Sequence, residues 1–306
     1  MISLILPIYN EEGNIAELYL RSQKVLASSG KYEIIYVNDG SKDGSYEMLL
    51  KLAQKDKNIK ILDFSRNFGH QIAITAGLDY AEGDAVVIMD SDLQDPPEII
   101  PKMIKQWQAG YEIVYAKRRT RKDTFFKKAT ASFFYRILKN FANINIPEDT
   151  GDFRLMDRKV VLEMRKLKEH SRFMRGLTSW VGFKQTAVLF DRDQRKYGRT
   201  GYPFWKMVRF AIDGLTSFSF FPLKLASYIG SFSALIGFVW GLYAIYERLF
   251  FPERVVAGWT TIVIVTSFMG GIQLMILGVI GEYIGRIYAE TQNRPLYIIK
   301  DRVNFD

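Results

Sequence analysis

Two long runs without a charged residue constrain this chain more than any other feature. Residues 225–246 and 255–281 contain no Asp, Glu, Lys or Arg and are 22 and 27 residues long. A helix rises about 1.5 Å per residue, so each run is long enough to cross the ~30 Å hydrocarbon core of a bilayer. The runs predict two transmembrane helices. The alternative is a pair of buried core helices in a soluble protein.

The first 200 residues alternate apolar runs with amphipathic patterns. The apolar run at 2–7 precedes a helical pattern at 12–27, and the run at 32–37 precedes one at 45–54. The run at 59–64 precedes a third helical pattern, which ends at about residue 81. This alternation predicts an α/β fold with a doubly wound, mostly parallel sheet and right-handed crossovers. The first loop holds only Gly13, so the Gly-x-Gly-x-x-Gly fingerprint of dinucleotide-binding proteins is absent.

An acidic pair ends the next apolar run. Residues 85–89 are uncharged, and Asp90 and Asp92 follow directly, ahead of Pro96 and Pro97. In open α/β sheets, ligands bind beyond the carboxyl ends of the strands. Two carboxylates there suit Mg²⁺ or Mn²⁺, which fills its other positions with water and phosphate oxygens. The pattern predicts a metal site for a phosphate-bearing substrate, with a polar turn as the alternative.

Basic residues outnumber acidic ones by 42 to 33, and part of the excess is concentrated. Seven basic residues lie within positions 117–128: Lys117, Arg118, Arg119, Arg121, Lys122, Lys127 and Lys128. Beside membrane spans, such a cluster favours an anionic lipid surface or a phosphate-bearing lipid. Nucleic acid is disfavoured, because no aromatic platform or recognition-helix pattern accompanies the charge. The chain has no cysteine, which excludes disulfides and thiolate metal sites.

Several motifs in order carry a family resemblance. They are residues 7–11 (Pro-Ile-Tyr-Asn-Glu), 37–41 (Val-Asn-Asp-Gly-Ser), 65–69 (Ser-Arg-Asn-Phe-Gly) and 90–98 (Asp-Ser-Asp-Leu-Gln-Asp-Pro-Pro-Glu). This set resembles the family 2 inverting glycosyltransferases. More narrowly, residues 150–154 (Thr-Gly-Asp-Phe-Arg) and 281–286 (Gly-Glu-Tyr-Ile-Gly-Arg) resemble the bacterial polyprenyl-phosphate glycosyltransferases, relatives of dolichol-phosphate mannose synthase. The resemblance implies a GT-A-type sheet and a metal-dependent, inverting transfer of one sugar from a UDP-sugar to polyprenyl (undecaprenyl) phosphate.

The resemblance also implies roles for individual residues. The nucleotide-sugar site would comprise Pro7, Tyr9, Asn10, Glu11, Asp39, Ser91 and Gln94, with Asp90 and Asp92 on the Mg²⁺ or Mn²⁺ ion. The acceptor phosphate would meet Arg118, Lys128 and Ser132, together with Arg195 and Arg199 of a basic loop. Gly201 of that loop stands where the family pattern has a lysine, and Arg199 would take over its role.

Asp152 is the candidate catalytic acid or base. A phosphate monoester is already ionised near neutral pH, its second pKa being about 6, so Asp152 could instead orient the acceptor. The alternative is a turn residue ahead of a helix capped by Asp157. His70 and His170, the only histidines, have no partner at metal-ligand spacing and are expected to be structural, although His70 lies close enough to a motif to approach the nucleotide.

These features divide the chain into segments. We expect a cytoplasmic GT-A domain at 1–203, an interfacial helix at 204–224, two transmembrane helices at 225–286 and a cytoplasmic tail at 287–306. Residues 124–141 predict a further amphipathic helix in the headgroup layer, with a solvated basic face as the alternative.

Charges around the spans predict their orientation. The loop between them has no net charge (Glu247, Arg248, Glu253, Arg254), whereas basic residues flank the pair (Lys224, Arg286, Arg294, Lys300, Arg302). Both termini should therefore be cytoplasmic in a multi-pass protein of the cell membrane, consistent with an N-terminus that starts as a strand without a signal-peptide pattern. Glycines in the spans permit close helix contact and predict a homo-oligomer: Gly230, Gly237, Gly241, Gly270, Gly271 and Gly278.

Two other functions fit part of these observations. A processive polysaccharide synthase would carry a Gln-x-x-Arg-Trp element and more spans, which this sequence lacks. A catalytically silent membrane scaffold that binds nucleotide sugars would not need Asp90, Asp92 and Asp152 together. Release of UDP in the presence of lipid phosphate distinguishes the enzyme from the scaffold.

Overall fold

The computed structural model describes residues 1–119, 150–170, 172–191, 221–250 and 258–305. The predicted amphipathic helix at 124–141 and residues 204–220 of the predicted interfacial helix lie outside these ranges, whereas residues 221–224 begin the helix Phe221–Phe250. Four predicted acceptor residues also lie outside these ranges: Lys128, Ser132, Arg195 and Arg199.

Eight strands of the described residues form one sheet. They are β1 (Ile2–Ile8), β2 (Tyr32–Asn38), β3 (Ile59–Phe64), β4 (Ala85–Ile88), β5 (Ile113–Arg118), β6 (Thr150–Asp157), β7 (Gln185–Phe190) and β8 (Ile299–Val303), in the spatial order β7-β5-β6-β4-β1-β2-β3-β8. Strands β4, β1, β2 and β3 run parallel, and β7 is parallel to β5. Strand β6 is antiparallel to β4 and β5, and β8 is antiparallel to β3. The predicted mostly parallel sheet is confirmed.

Helices cover both faces of this sheet. They are α1 (Glu12–Ala27), α2 (Ser45–Lys55), α3 (His70–Tyr80), α4 (Ile100–Gln108), α5 (Arg158–Lys166) and α6 (Met174–Trp180), with a 3₁₀ turn at Pro97–Ile99. Strands β1 and β2 read as continuous apolar runs because their successive side chains enter opposite cores. Leu4 and Tyr36 lie in one core and Ile5 and Ile35 in the other, all fully buried.

Strand β6 carries the Thr-Gly-Asp-Phe-Arg motif of residues 150–154. Asp152 lies inside this strand, so the alternative interpretation of Asp152 as a turn residue is wrong. The predicted cap is confirmed, because Oδ1 of Asp157 accepts a hydrogen bond from Lys159 N at 2.9 Å where α5 begins.

Two further helices follow, α7 (Phe221–Phe250) and α8 (Trp259–Thr291). Both are long and apolar enough to cross a membrane. In their most apolar stretches, 6% of the residues of α7 and 0% of those of α8 are buried inside the protein. A buried core helix of this length would contact protein on most sides. The alternative of two core helices is therefore wrong.

The segment after α8 returns to the sheet. Strand β8 pairs with β3, and the ring of Tyr297 stacks on Phe64 with centroids 5.3 Å apart. The Tyr297 hydroxyl also donates to Asp79 at 2.8 Å. This part of the predicted tail thus becomes the edge strand of the sheet, which the sequence pattern did not predict.

A second contact joins the end of α8 to the sheet domain. The backbone N–H of His170 donates to Glu290 at 2.7 Å, and its ring nitrogens lie 2.9 Å from Glu290 Oε2 and 2.9 Å from the carbonyl of Arg294. The hydrogen bond to Glu290 raises the pKa of His170 above its ordinary value. The loop between α5 and α6 is therefore bound to the last turn of α8.

This contact should make stability depend on pH. A histidine with a raised folded-state pKa contributes its full stabilisation below the ordinary value of 6.5 and loses it as the pH rises through the folded-state pKa. Exposed ion pairs contribute about 0.2–1 kcal/mol, or about 0.3–2 °C in the melting temperature of a chain this long. We expect His170→Ala to lower the melting temperature of the detergent-solubilised chain more at pH 6 than at pH 9. An equal effect at both pH values would contradict the charged pair.

Candidate active site

The loops after the parallel strands meet at one edge of the sheet and are bound to each other. Asn10 adopts a left-handed conformation, with φ of 55°, that directs its backbone to the neighbouring loop. Its N–H donates to Ser41 Oγ at 3.1 Å, and its side-chain oxygen accepts from Lys42 N at 2.8 Å. The N–H of Glu11 donates to Ser45 Oγ at 3.0 Å. The two predicted nucleotide loops thus form one unit, from which the 45% exposed Tyr9 projects.

Asp39 joins this unit to the loop after β3. It is 3% exposed, and its two carboxylate oxygens accept hydrogen bonds from the backbone of Phe68 at 2.6 Å and Gly69 at 3.0 Å. Gly40 has a φ of 66°, and a Cβ there would lie 2.6 Å from the backbone of Arg66, so a larger residue would separate the loops. Asp39, a residue of the predicted uridine site, therefore holds the loop after β3 against the loop after β2.

The acidic loop after β4 is held against β1. The hydroxyl of Ser91 donates to the carbonyl of Pro7 at 2.8 Å, and Asp92 Oδ1 accepts from Gln94 N at 3.1 Å. Leu93 is 1% exposed and has a φ of 60°. This left-handed backbone conformation costs a residue other than glycine about 1–3 kcal/mol. Packing maintains this strained turn, which keeps both acids at the sheet edge.

The acid pair fits an open divalent-cation site. Among the described residues, Oδ1 of Asp90 is buried without a hydrogen-bond partner, although it lies 3.4 Å from Nε2 of His70. Burial raises the pKa of Asp90; His70 opposes this effect, while Asp152 and Asp92 add to it. Within the same residues, no group of three or more His, Cys, Asp or Glu side chains could hold a metal ion, so the site considered is the acid pair alone. Two carboxylates leave positions for water and phosphate oxygens, as Mg²⁺ and Mn²⁺ require.

Asp152 is enclosed by donors from two other elements. Arg175 of α6 donates from Nε to Oδ1 at 3.0 Å, and Gln71 of α3 donates from Nε2 to Oδ2 at 2.9 Å. His70 Nε2 lies 3.4 Å from the same Oδ2 and the same distance from Asp90 Oδ1. His70 therefore bridges the acidic loop and Asp152.

Charge keeps Asp152 ionised. Burial alone would raise its pKa, but Arg175, His70 and Arg154 together hold the pKa of Asp152 well below its usual range. Desolvation opposes protonation of His70, yet the hydrogen bond to Asp152 and the charges of Asp90 and Asp152 raise the pKa of His70 to about 9. The histidine is thus a cation between two carboxylates at neutral pH.

Two further arginines lie beside Asp152. Arg154 is 4% exposed and donates to the carbonyls of Gly151 at 3.0 Å and Asp152 at 3.3 Å, which fixes the β6 backbone. Arg118 ends β5, and its Nη2 lies 3.8 Å from the position that a Cβ on Gly151 would occupy. The predicted acceptor residue Arg118 therefore lies next to Gly151, the residue that precedes the predicted catalytic Asp152.

The structure brings most predicted residues to one edge and adds three. Pro7, Tyr9, Asn10, Glu11, Asp39, Asp90, Ser91, Asp92 and Gln94 lie at the carboxyl ends of the parallel strands, with Asp152 and Arg118 alongside. His70, expected to be structural, contacts two site acids, and Gln71 and Arg175 were not predicted at all. Extending the 65–69 motif by two residues would have included His70 and Gln71, whereas no motif marks Arg175.

Comparisons with known proteins agree with this geometry. Residues 3–165 match the model of glycosyl transferase family 2, and residues 221–287 match that of the GtrB C-terminal hairpin. A Bacillus subtilis protein named uncharacterized glycosyltransferase YkcC is 55% identical over 300 residues, covering 97% of this chain and 93% of the relative. A Shigella flexneri protein named SfII prophage-derived bactoprenol glucosyl transferase is 44% identical, covering 98% of this chain and 97% of the relative.

A solved structure titled as a mycobacterial protein supports the fold alone. It aligns with a TM-score of 0.50 at 19% identity, covering 72% of this chain and 74% of that one. The family match spans the sheet that carries the acidic loop, and the hairpin match spans α7 and most of α8. The chain therefore belongs to glycosyl transferase family 2, as a GT-A-type glycosyltransferase with a GtrB-type C-terminal hairpin.

Proposed function

We propose that this enzyme transfers one sugar from a UDP-sugar to polyprenyl phosphate with inversion at the anomeric carbon. The bactoprenol glucosyl transferase name of the 44% identical Shigella relative supports a polyprenyl phosphate acceptor. One observation carries the proposal: Nε2 of His70 lies 3.4 Å from Asp90 of the acidic loop and 3.4 Å from Asp152, so the residues proposed for the donor would lie next to those proposed for the acceptor. A single displacement needs donor and acceptor side by side in this way.

The donor would occupy the joined loops after β1, β2 and β4. Pro7, Tyr9, Asn10, Glu11, Asp39, Ser91 and Gln94 would surround the uridine and the sugar. Asp90 and Asp92 would hold Mg²⁺ or Mn²⁺, which stabilises the negative charge on the departing UDP. The strained turn at Leu93 keeps both carboxylates at the edge where the diphosphate would bind.

The acceptor would approach Asp152 from the arginine side. An oxygen of the acceptor phosphate forms a bond to the anomeric carbon while the bond from that carbon to UDP breaks, and UDP leaves with the electron pair. The phosphate is already ionised near neutral pH, so no proton must be removed. With its pKa held low, Asp152 is a poor base, and its role is to orient the groups around it. Arg118, Lys128, Ser132, Arg195 and Arg199 remain the acceptor residues proposed from sequence.

The two C-terminal helices would anchor the enzyme where its lipid substrate resides. We propose a cytoplasmic catalytic domain at 1–203, an interfacial helix at 204–224, transmembrane helices within 225–286 and a cytoplasmic tail at 287–306. The contacts of His170 with Glu290 and of Tyr297 with Asp79 support placing the sheet domain on the same side as the end of α8. The glycines in the spans support a homo-oligomer.

The direct test is transfer itself. Purified full-length protein would be incubated with polyprenyl phosphate, Mn²⁺ and a panel of radiolabelled UDP-sugars, and the lipid phase extracted. We expect one labelled sugar per lipid and an equal amount of released UDP. Products with several sugars would favour a processive synthase. Binding of UDP-sugar without any lipid product would favour a silent scaffold.

Substitution in the acidic loop should separate metal binding from folding. We expect Asp92→Asn to lower turnover by about a hundredfold or more, because a bound ion supplies several kcal/mol of charge stabilisation in the transition state. Glu98→Gln serves as the matched control, since Glu98 is 52% exposed and pairs with Arg21 at 2.8 Å outside the acid pair. Full activity of the unmodified enzyme in EDTA would contradict metal dependence.

The orientation can be tested with single cysteines, because the chain has none. We expect a membrane-impermeant maleimide added to intact cells to label Pro252→Cys, in the loop between α7 and α8, and not Asp306→Cys. Lysed cells provide the control in which both are labelled. Labelling of Asp306→Cys in intact cells would reverse the assignment that the charge bias predicts.

A further inference from the structure

Arg175 has the position and charge of a substrate ligand, yet no motif marks it. It lies in the first turn of α6, donates to Asp152 at 3.0 Å and keeps 25% of its side chain exposed, whereas the side chain of Asp152 is 7% exposed. Resting on the proposed function, we propose that Arg175 binds the acceptor phosphate and that Asp152 fixes its guanidinium for this purpose.

The chain segment that carries Arg175 is bound to the membrane helices. Five residues before it, His170 contacts Glu290 and the carbonyl of Arg294 at the end of α8. The segment therefore runs from the end of the proposed membrane anchor to Asp152. In the sheet, β6 is separated from β1 by β4 and from β2 by β4 and β1, so Asp152 and Arg175 lie away from the nucleotide loops after β1 and β2. This placement assigns Arg175 to the acceptor.

A second contact aligns the same segment with the donor side. Gln71 of α3 accepts a hydrogen bond from Met174 N at 2.9 Å and donates to Asp152 at 2.9 Å. Because His70 and Gln71 are consecutive, the residues beside the acidic loop and those beside Arg175 are fixed to each other. Arg175 is thus held at a defined position relative to Asp90, as in-line attack on the donor requires.

Electrostatics also require a cation at this point. A phosphate dianion approaching Asp152 and Asp90 would be repelled unless cations offset both carboxylates, as Arg175 and His70 do here, because like charges repel more strongly in a partly buried site than in water. A guanidinium has five N–H donors in a planar fork, so one arginine can bind a carboxylate and a phosphate together. Arg154 does not have this accessibility, because it is 4% exposed and binds backbone carbonyls.

The test compares acceptor and donor constants in the full-length enzyme. We expect Arg175→Ala to raise the KM for undecaprenyl phosphate by about tenfold to a hundredfold, the effect of losing one charge-assisted hydrogen bond to a phosphate. The Kd for UDP-sugar with Mn²⁺, measured by calorimetry, should stay within about twofold. Arg175→Lys should restore only part of the acceptor affinity, because a lysine cannot engage a carboxylate and a phosphate in one plane. Added guanidinium should lower the raised KM.

Arg165→Ala is the matched control. Arg165 is also a partly buried arginine, but its guanidinium donates to the carbonyls of Leu78 at 2.8 Å and Ala81 at 2.6 Å, at the opposite end of α3 from His70. It should lower thermal stability without changing the acceptor KM.

Two results would overturn the inference. One is an unchanged acceptor KM in Arg175→Ala with a reduced kcat, which would make Arg175 a support for Asp152 alone. The other is a weakened UDP-sugar Kd with a normal acceptor KM, which would place Arg175 in the donor site. Failure of the proposed function is distinguishable, because it would appear as a lack of lipid product already in the unmodified enzyme.

Discussion

The carboxylate of Asp152 is the interaction on which the candidate site depends. It accepts hydrogen bonds from Gln71 of α3 and Arg175 of α6, and it lies 3.4 Å from His70. A buried carboxylate is costly unless its charge is compensated, and breaking such a pair leaves the partner charges uncompensated. Three elements that are distant in sequence are therefore held in one arrangement by a single ionised group. The acidic loop and the loop bound to α8 are connected through that group.

The antiparallel register of β6 explains why Asp152 can fill this position. Strand β6 pairs with β4 so that Ile88 faces Arg154. Extending that register by two residues places Asp90 opposite Asp152, directly beyond the end of β4. His70, 3.4 Å from both, agrees with this register, which brings an acid of the proposed metal site near the acid that binds Arg175. The order of the sheet, more than any loop, places the proposed donor and acceptor sites next to each other.

Local pattern made part of this predictable. The parallel strands β1 to β4 were readable because buried strands are continuous apolar runs that end in polar loops, so Asp39, Asp90 and Asp92 could be placed at one edge. The partners of Asp152 could not be read, because Arg175 and His70 reach it through a tertiary arrangement that leaves no periodic signal. Strand β8 was also missed: its residues 299–303 are mostly charged, and only pairing with β3 makes them a strand.

The stereochemistry of the product tests the central claim most directly. If acceptor phosphate and donor lie side by side and react in one displacement, a UDP-sugar with an α-linkage must give a β-linked lipid phosphate sugar. With UDP-glucose as donor, the coupling between H1 and H2 in a proton NMR spectrum of the purified lipid product distinguishes the two anomers. We predict the large coupling of the β-anomer. The small coupling of an α-linked product would contradict a single in-line displacement and require a different arrangement of donor and acceptor around Asp152.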